Sequence, residues 1–180
     1  AGGELGWGAR AEAVNESGVV VGSALTAIPR PGGVLTEQHA FTWTESGGMV
    51  DLGGGESAHA TLVNEAGQVA GGTCGCGNGG SHAFVASAEN GLTVLGDLGG
   101  GDSFASVLGE SGAVLGRSTI SPDEGKEHGF YWDPEVGMVD LENPSAPSAN
   151  PAGYPFALRD TGEILAFTGG APPTGQESIA

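Results

Sequence analysis

Gln38-His-Ala-Phe-Thr-Trp-Thr44 returns as Ser81-His-Ala-Phe-Val-Ala-Ser87 and again as Glu127-His-Gly-Phe-Tyr-Trp-Asp133. The interval is roughly 45 residues, the length of a small antiparallel supersecondary unit. A decayed fourth copy, Gln176-Glu-Ser-Ile-Ala180, puts Glu177 where histidine stood. Between these marks runs a second set: Asn15-Glu-Ser-Gly18, Asn64-Glu-Ala-Gly67, Gly109-Glu-Ser-Gly112 and Arg159-Asp-Thr-Gly162. A third set is Gly48-Met-Val-Asp-Leu52, Gly91-Leu-Thr-Val-Leu95 and Gly137-Met-Val-Asp-Leu141. Three independent marks on one period mean one unit copied four times.

The second copy reads most clearly. Ala58-His-Ala-Thr-Leu-Val63 alternates small or apolar with polar residues, as a half-buried strand does. Asn64-Glu-Ala-Gly67 has Asn at the first and Gly at the fourth place of a type I turn, the signature of a hairpin with a glycine bulge. Gln68-Val-Ala70 leads out as the partner strand. A glycine-rich loop from Gly71 to Ser81 reaches a third strand, His82-Ala-Phe-Val-Ala86, and Leu92-Thr-Val-Leu95 makes a fourth. Four short antiparallel strands per copy is the pattern of a propeller blade. The fold class that follows is all-β: a propeller-like array of four four-stranded antiparallel blades in a single repeat domain, 1–180. The copies run 9–57, 58–103, 104–153 and, incomplete, 154–180. Sheets that cannot cover their own faces must pack on one another. The array is either a small closed ring or a fragment of a larger propeller. No stretch has helical periodicity, and the Pro/Ser-rich segment from Glu142 to Pro155 reads as an expanded connector.

The chain has 36 Gly and 10 Pro. Without order such a content suggests disorder, but here the glycines hold fixed places in the repeat, as many tight turns require. A formal net charge of -17 on five basic residues excludes the basic footprint that nucleic-acid phosphates need and opposes anionic membrane surfaces. No apolar stretch is long enough for a membrane span. Without an initiator Met or signal peptide, the chain is expected to be a mature product or an excised fragment. Cys74 and Cys76 form either a small strained disulfide ring or half of a soft-metal site, the disulfide being favoured because further ligands are missing. An oxidising, extracellular compartment suits these features.

The marks His39-Ala40-Phe41-Thr-Trp43, Gly48-Met-Val-Asp-Leu-Gly53 and Asn64-Glu-Ala-Gly67-Gln-Val69-Ala-Gly71 resemble the bacterial HAF family of extracellular repeats. The resemblance covers nearly the whole chain. It implies a secreted or surface-exposed bacterial protein with propeller-like blades, and no particular reaction. Copy two departs from it with Ala86 in place of Trp, and copy four with Glu177 in place of His.

In such blades the hairpin turns share one end of the array and the loops after strands two and four share the other. The turns are alike, whereas the loops after strand two, 23–38, 72–81, 118–127 and 168–176, diverge. Divergent loops mark that end as the binding surface. His59, on an innermost strand, shares its repeat position with Arg10 and Phe104, and the three form a candidate ligand-facing group. Trp7, in the first connector, suits stacking on a sugar or plugging the end of the ring. Glu4, Glu56 and Asp102 recur in the connectors and either cap turns or gather around calcium. His39, His82 and His128 are expected to hydrogen-bond a neighbouring blade rather than bind zinc. Trp43, Trp132, Phe41, Phe84 and Phe130 are expected to pack between blades. Asp51, Asp97 and Asp140 recur with the repeat, which points to structural turn roles rather than glycoside hydrolysis. No catalytic motif is present. The function expected is a non-catalytic binding or scaffolding domain recognising glycan or protein through its variable loops. The alternatives are a structural subunit that self-associates by pairing open strand edges, and a polysaccharide hydrolase or lyase.

Overall fold

The repeat is visible in the backbone as one hairpin turn built the same way each time. Asn15 donates its N–H to Val19 O and Asn64 to Gln68 O, while the glycine N–H of Gly18 and Gly67 returns to the carbonyl of the same Asn. Each Asn Oδ1 accepts the backbone N–H four residues on, from Val19 and Gln68. Gly18, Gly67 and Gly112 close their turns at φ between 77° and 87°, where a Cβ would be strained.

The computed structural model describes residues 8–54, 57–75, 80–123, 125–142, 155–158 and 164–166. Its strands are β1 (Arg10–Val14), β2 (Val20–Arg30), β3 (Gly33–Thr44), β4 (Gly48–Gly53), β5 (Ala58–Val63), β6 (Val69–Thr73), β7 (His82–Ser87), β8 (Gly91–Val94), β9 (Ser103–Leu108), β10 (Val114–Thr119), β11 (Glu127–Asp133), β12 (Gly137–Asp140), β13 (Pro155–Leu158) and β14 (Ile164–Ala166). No helix occurs among the described residues, so none is long and apolar enough to cross a membrane. Strands β1–β4, β5–β8 and β9–β12 form three separate four-stranded antiparallel meanders, and β13–β14 a pair. The fold is therefore all-β, with one meander in each of the first three copies. The described part of the fourth copy is a two-stranded ladder, not a full sheet.

The sheets stack face to face in chain order. Sheet two is apolar on both faces because its strands alternate toward two neighbours. Val69, Phe84 and Ala86 meet Val21, Ala40 and Leu52 of sheet one. Ala70, Ala83 and Leu95 meet Val114 and Phe130 of sheet three. Phe84 and Phe130 are fully buried, each worth about 2–3 kcal/mol of transfer free energy.

The first strand of every copy carries an extra residue. Register shifts fall between Ala11 and Ala13, Ala60 and Leu62, and Pro155 and Ala157, and opposite Leu115 and Gly116 in the third copy. The bulge swings the first strand onto its neighbour. A Cβ at Gly22 or Gly71 would sit 1.9 Å from the carbonyl oxygen of Arg10 or His59, and one at Gly116 2.1 Å from that of Phe104. The last glycine of the Asn-x-x-Gly-x-Val-x-Gly mark is thus fixed by backbone contact.

The turns also bind one another. Asn15 Nδ2 donates to Asn64 O at 2.8 Å, and Asn64 Nδ2 to Gly109 O at 2.9 Å. In return Glu65 accepts from the N–H groups of Glu16 and Ser17, and Glu110 accepts from Glu65 N–H. The Glu16 N–H, with Ser17, holds the Glu65 carboxyl below its ordinary range despite desolvation. Gly109 replaces Asn in the third turn, and a Cβ there would lie 2.7 Å from Leu158 Cδ2; the missing side chain makes room for the fourth copy.

Three expectations are corrected. The histidines clip strands within a sheet rather than between sheets: His39 Nδ1 lies 2.9 Å from Asp51 on β4, and His128 Nδ1 3.0 Å from Asp140 on β12. Carboxylates only accept, so Nδ1 carries the hydrogen. In the second copy Val94 replaces the aspartate, and His82 Nδ1 is left 3.9 Å from Asp97, buried with no hydrogen-bond partner. Second, 23–38 is not a loop: β2 and β3 stay paired from Val20↔Trp43 to Arg30↔Gly33. Third, Trp132 packs against sheet two, but Trp43 is 38% exposed. The turn roles of the recurring aspartates are borne out, since Asp51, Asp97 and Asp140 accept from the N–H groups of Gly53, Gly99 and Glu142.

Gly71→Ala should lower the thermal midpoint sharply, with a cost of about 2 kcal/mol or more from backbone overlap. Gly72→Ala, whose Cβ meets nothing within 4 Å, should change it little; equal effects in calorimetry would refute the close-approach account. The Asp97 carboxyl is held below its ordinary range chiefly by Gly101 N–H, with Gly99, Gly100 and the His82 charge adding and burial opposing. A depressed folded pKa gives stability that is present above the unfolded pKa and lost as pH falls through the folded one. Asp97→Asn should therefore flatten the acid limb of a stability–pH curve while costing stability near neutrality.

Candidate functional site

His59, Phe104 and Cys74 come together where β5, β6 and the start of β9 meet. They line a cleft of about 280 Å³ with Thr61, Thr73, Ser81 and Ala105, over a floor of Gly71 and Gly72. The register explains the grouping. His59 lies opposite Gly72 in the β5–β6 ladder, and Cys74 N–H donates to Ser57 O at 2.9 Å two residues further along. Two residues apart along a strand means the same face, so the imidazole and the thiol share a wall. Thr61 is the bulge residue between the paired Ala60 and Leu62 and is exposed. Phe104 enters from the next copy and is 39% exposed. The cleft thus opens at the end carrying the 72–81 loop.

Two strands of the scaffold hold this cleft. Ser103 is fully buried; its Oγ donates to Gly96 O and accepts from Ala83 N–H. Ser103 N–H donates to Ser81 O at 2.7 Å. Phe104 is therefore anchored one residue away from a node joining sheets two and three.

The cleft offers one aromatic face, an imidazole, three hydroxyls and an exposed thiol, and no carboxylate lines it among the described residues. Those groups exchange hydrogen bonds with a neutral polar ligand and pack on its apolar side. Arg10, the third member of the expected group, does not line this cleft. It belongs to sheet one, where it is mostly exposed and pairs with Glu12 at 2.8 Å. Asp102 accepts Ser81 N–H at 2.7 Å, a turn-capping role. No group of three or more His, Cys, Asp or Glu side chains arranged to hold a metal occurs among the described residues. Cys74 is free and exposed, while Trp7, Glu4, Glu56 and Cys76 lie outside the described residues.

A groove of about 230 Å³ that the sequence did not suggest lies between sheets two and three near the turns, beside Trp132 and Pro134, with the Gln68 and Asn90 amides on its rim. The signal for it is Ala86, which lines the groove as a small residue at the place where the other copies carry Trp43 and Trp132. Set against family models, curated proteins and solved structures, the chain matches none of them.

Proposed function

We propose that this chain is a non-catalytic binding domain of a bacterial extracellular or surface protein, and that it takes a neutral sugar residue of a glycan into the cleft lined by His59, Thr61 and Phe104. The observation that carries this reading is Phe104: an aromatic ring 39% exposed in a mostly apolar cleft, with Ala105 and a glycine floor, that also presents the His59 imidazole and the hydroxyls of Thr61, Thr73 and Ser81. A pyranose has one face of C–H bonds and a rim of hydroxyls, so an aromatic plane beside short polar side chains complements both. The cleft belongs to the end of the array where loops diverge between copies, the end on which a repeat scaffold varies its specificity.

The finer architecture is part of the same proposal. The copies are propeller-like blades of the HAF type. Its support is the marks Asn64 to Gly71 and His39 to Gly53, together with meanders that stack in chain order. A net charge of -17 keeps such a domain soluble and repels polyanions, so neutral or cationic glycans are the ligands to expect. Extracellular placement rests on the resemblance to HAF repeats.

A neutral-glycan array should give binders whose affinity, measured by calorimetry, falls about tenfold in Phe104→Ala. Thr61→Ala should weaken them less, and recovered ligand should be chemically unchanged after long incubation. Equal affinity in Phe104→Ala, or release of shortened glycan, would refute the reading.

A further inference from the structure

The turn end of the molecule carries a groove that repeats with the sheets. Between sheets two and three it has a volume of about 230 Å³ and is walled by Val85, Leu108, Trp132 and Pro134. Between sheets one and two a second groove of about 480 Å³ is lined by Val19, Thr42, Thr44 and Ala88, with Glu89 and Glu110. The two are built from the same repeat positions. Gln68 follows the second turn as Val19 follows the first, Ser87 ends β7 as Thr44 ends β3, and Gly112 and Gly67 close equivalent turns. Gln68, Ser87 and Asn90 line both grooves, which therefore adjoin as one track across three sheets.

The two halves of the track differ in chemistry. The first offers the half-buried Trp132 indole beside the exposed Pro134 ring. The second is acidic, and the exposed Glu89 carboxylate makes no ion pair among the described residues. The turns at this end bear Glu16, Glu45, Glu65, Glu89, Glu110 and Glu135, while the described cations, Arg10, Arg30, Arg117 and Lys126, all lie away from these turns. Between the halves, Gln68 Oε1 accepts from Asn64 Nδ2 at 2.7 Å, so the Gln68 Nε2 hydrogens remain for a ligand carbonyl. The exposed Asn90 amide stands on the same rim.

Stacked sheets lie about 10 Å apart, which sets the interval between the two grooves. A polyproline II segment rises about 3.1 Å per residue with three residues per turn, so side chains i and i+3 share one side about 9 Å apart. A β-strand puts i and i+3 on opposite faces and does not match that interval. Polyproline II also leaves its carbonyls without internal partners, open to the Gln68 and Asn90 amides, and its rings suit an aromatic wall.

We propose that this track binds a proline-rich segment of a partner protein in the polyproline II conformation. An apolar residue of the segment sits at Trp132, and a Lys or Arg three positions away sits at Glu89 and Glu110. The net charge of -17 draws such a cationic segment toward the domain. The site is at the opposite end of the sheets from the His59 cleft and does not rest on the glycan reading of that cleft.

The test is fluorescence anisotropy of a labelled proline-rich peptide containing leucine–proline–proline–arginine, titrated with the full chain. Salt of about 0.15 M, with a Debye length of about 8 Å, screens general attraction to the acidic domain. Saturable binding is expected. Glutamate in place of the peptide arginine should abolish it, and glycine in place of both prolines should weaken it about tenfold by removing preorganisation. Glu89→Lys should weaken the arginine peptide about fivefold and give the glutamate peptide measurable binding. Thr93 is exposed and lies opposite Val85 in the β7–β8 ladder, so Thr93→Trp plugs the first groove and should weaken binding about tenfold with unchanged circular dichroism. Phe104→Ala, in the other cleft, should bind as the wild type does. Absence of saturable binding, equal binding of the glycine peptide or of oligolysine, or wild-type affinity in both Glu89→Lys and Thr93→Trp would each overturn the proposal.

Discussion

A four-stranded meander cannot cover either of its own faces, and the whole molecule follows from that. Sheet two is the clearest consequence. Its residues alternate Val69, Ala70 and Phe84, Val85, apolar in both directions, because both directions end in another sheet. An isolated copy would expose both faces and lose most of its stabilising burial. Everything else in the repeat serves to bring the next sheet close. The bulge turns the first strand inward, and Gly22, Gly71 and Gly116 let the carbonyls of Arg10, His59 and Phe104 approach where any Cβ would collide.

Stacking by apolar contact alone would allow neighbouring sheets to slide, since such contacts are non-directional. The turns supply direction. An amide crosses from Asn15 to the second turn and from Asn64 to the third, and a carboxylate crosses back from Glu65 and Glu110. Asn64 is 4% exposed and uses both ends of its amide, so the position tolerates only a side chain with donor and acceptor together. Within sheets one and three the His39–Asp51 and His128–Asp140 clips tie the third strand to the fourth, an edge strand. Sheet two lacks the clip because Val94 stands in the aspartate position, and it is the sheet held from both sides.

The period, the strands of each copy and the Asn-Gly turns were legible from residue type, because turn chemistry and period-two alternation are local properties. What was not legible depends on distance in space. The 23–38 segment reads as a loop, given Pro29, Pro31 and Gly32 near its middle, yet Pro29 faces Val34 at the far end of a ladder and the turn falls at Pro31-Gly32. The histidines recur once in each of the first three copies, which suggests contacts between copies; the aspartates met by His39 and His128 recur with them, so sequence alone could not tell a clip within a sheet from a link between sheets. Two of the three residues of the expected inner group came together. His59 and Phe104 line one cleft, whereas Arg10 finds Glu12 on its own strand. Trp43 and Trp132 hold the same place in the repeat, yet Trp132 packs against sheet two while Trp43 is 38% exposed.

The two ends of the repeat are thereby free to diverge for different reasons. At the turn end each residue answers to its counterpart in the neighbouring copy, and the marks stay alike from Asn15 to Glu110. At the loop end the second and third copies meet through Ser81 and Ala83 with Asp102 and Ser103. There the cleft floor of Gly71 and Gly72 and the side chains of Thr61, Thr73 and Cys74 are set by one copy and one strand of the next. A scaffold organised this way holds its geometry through one face of the period and is able to change its ligand through the other, because no side chain that lines the cleft takes part in the turn ladder that joins the sheets.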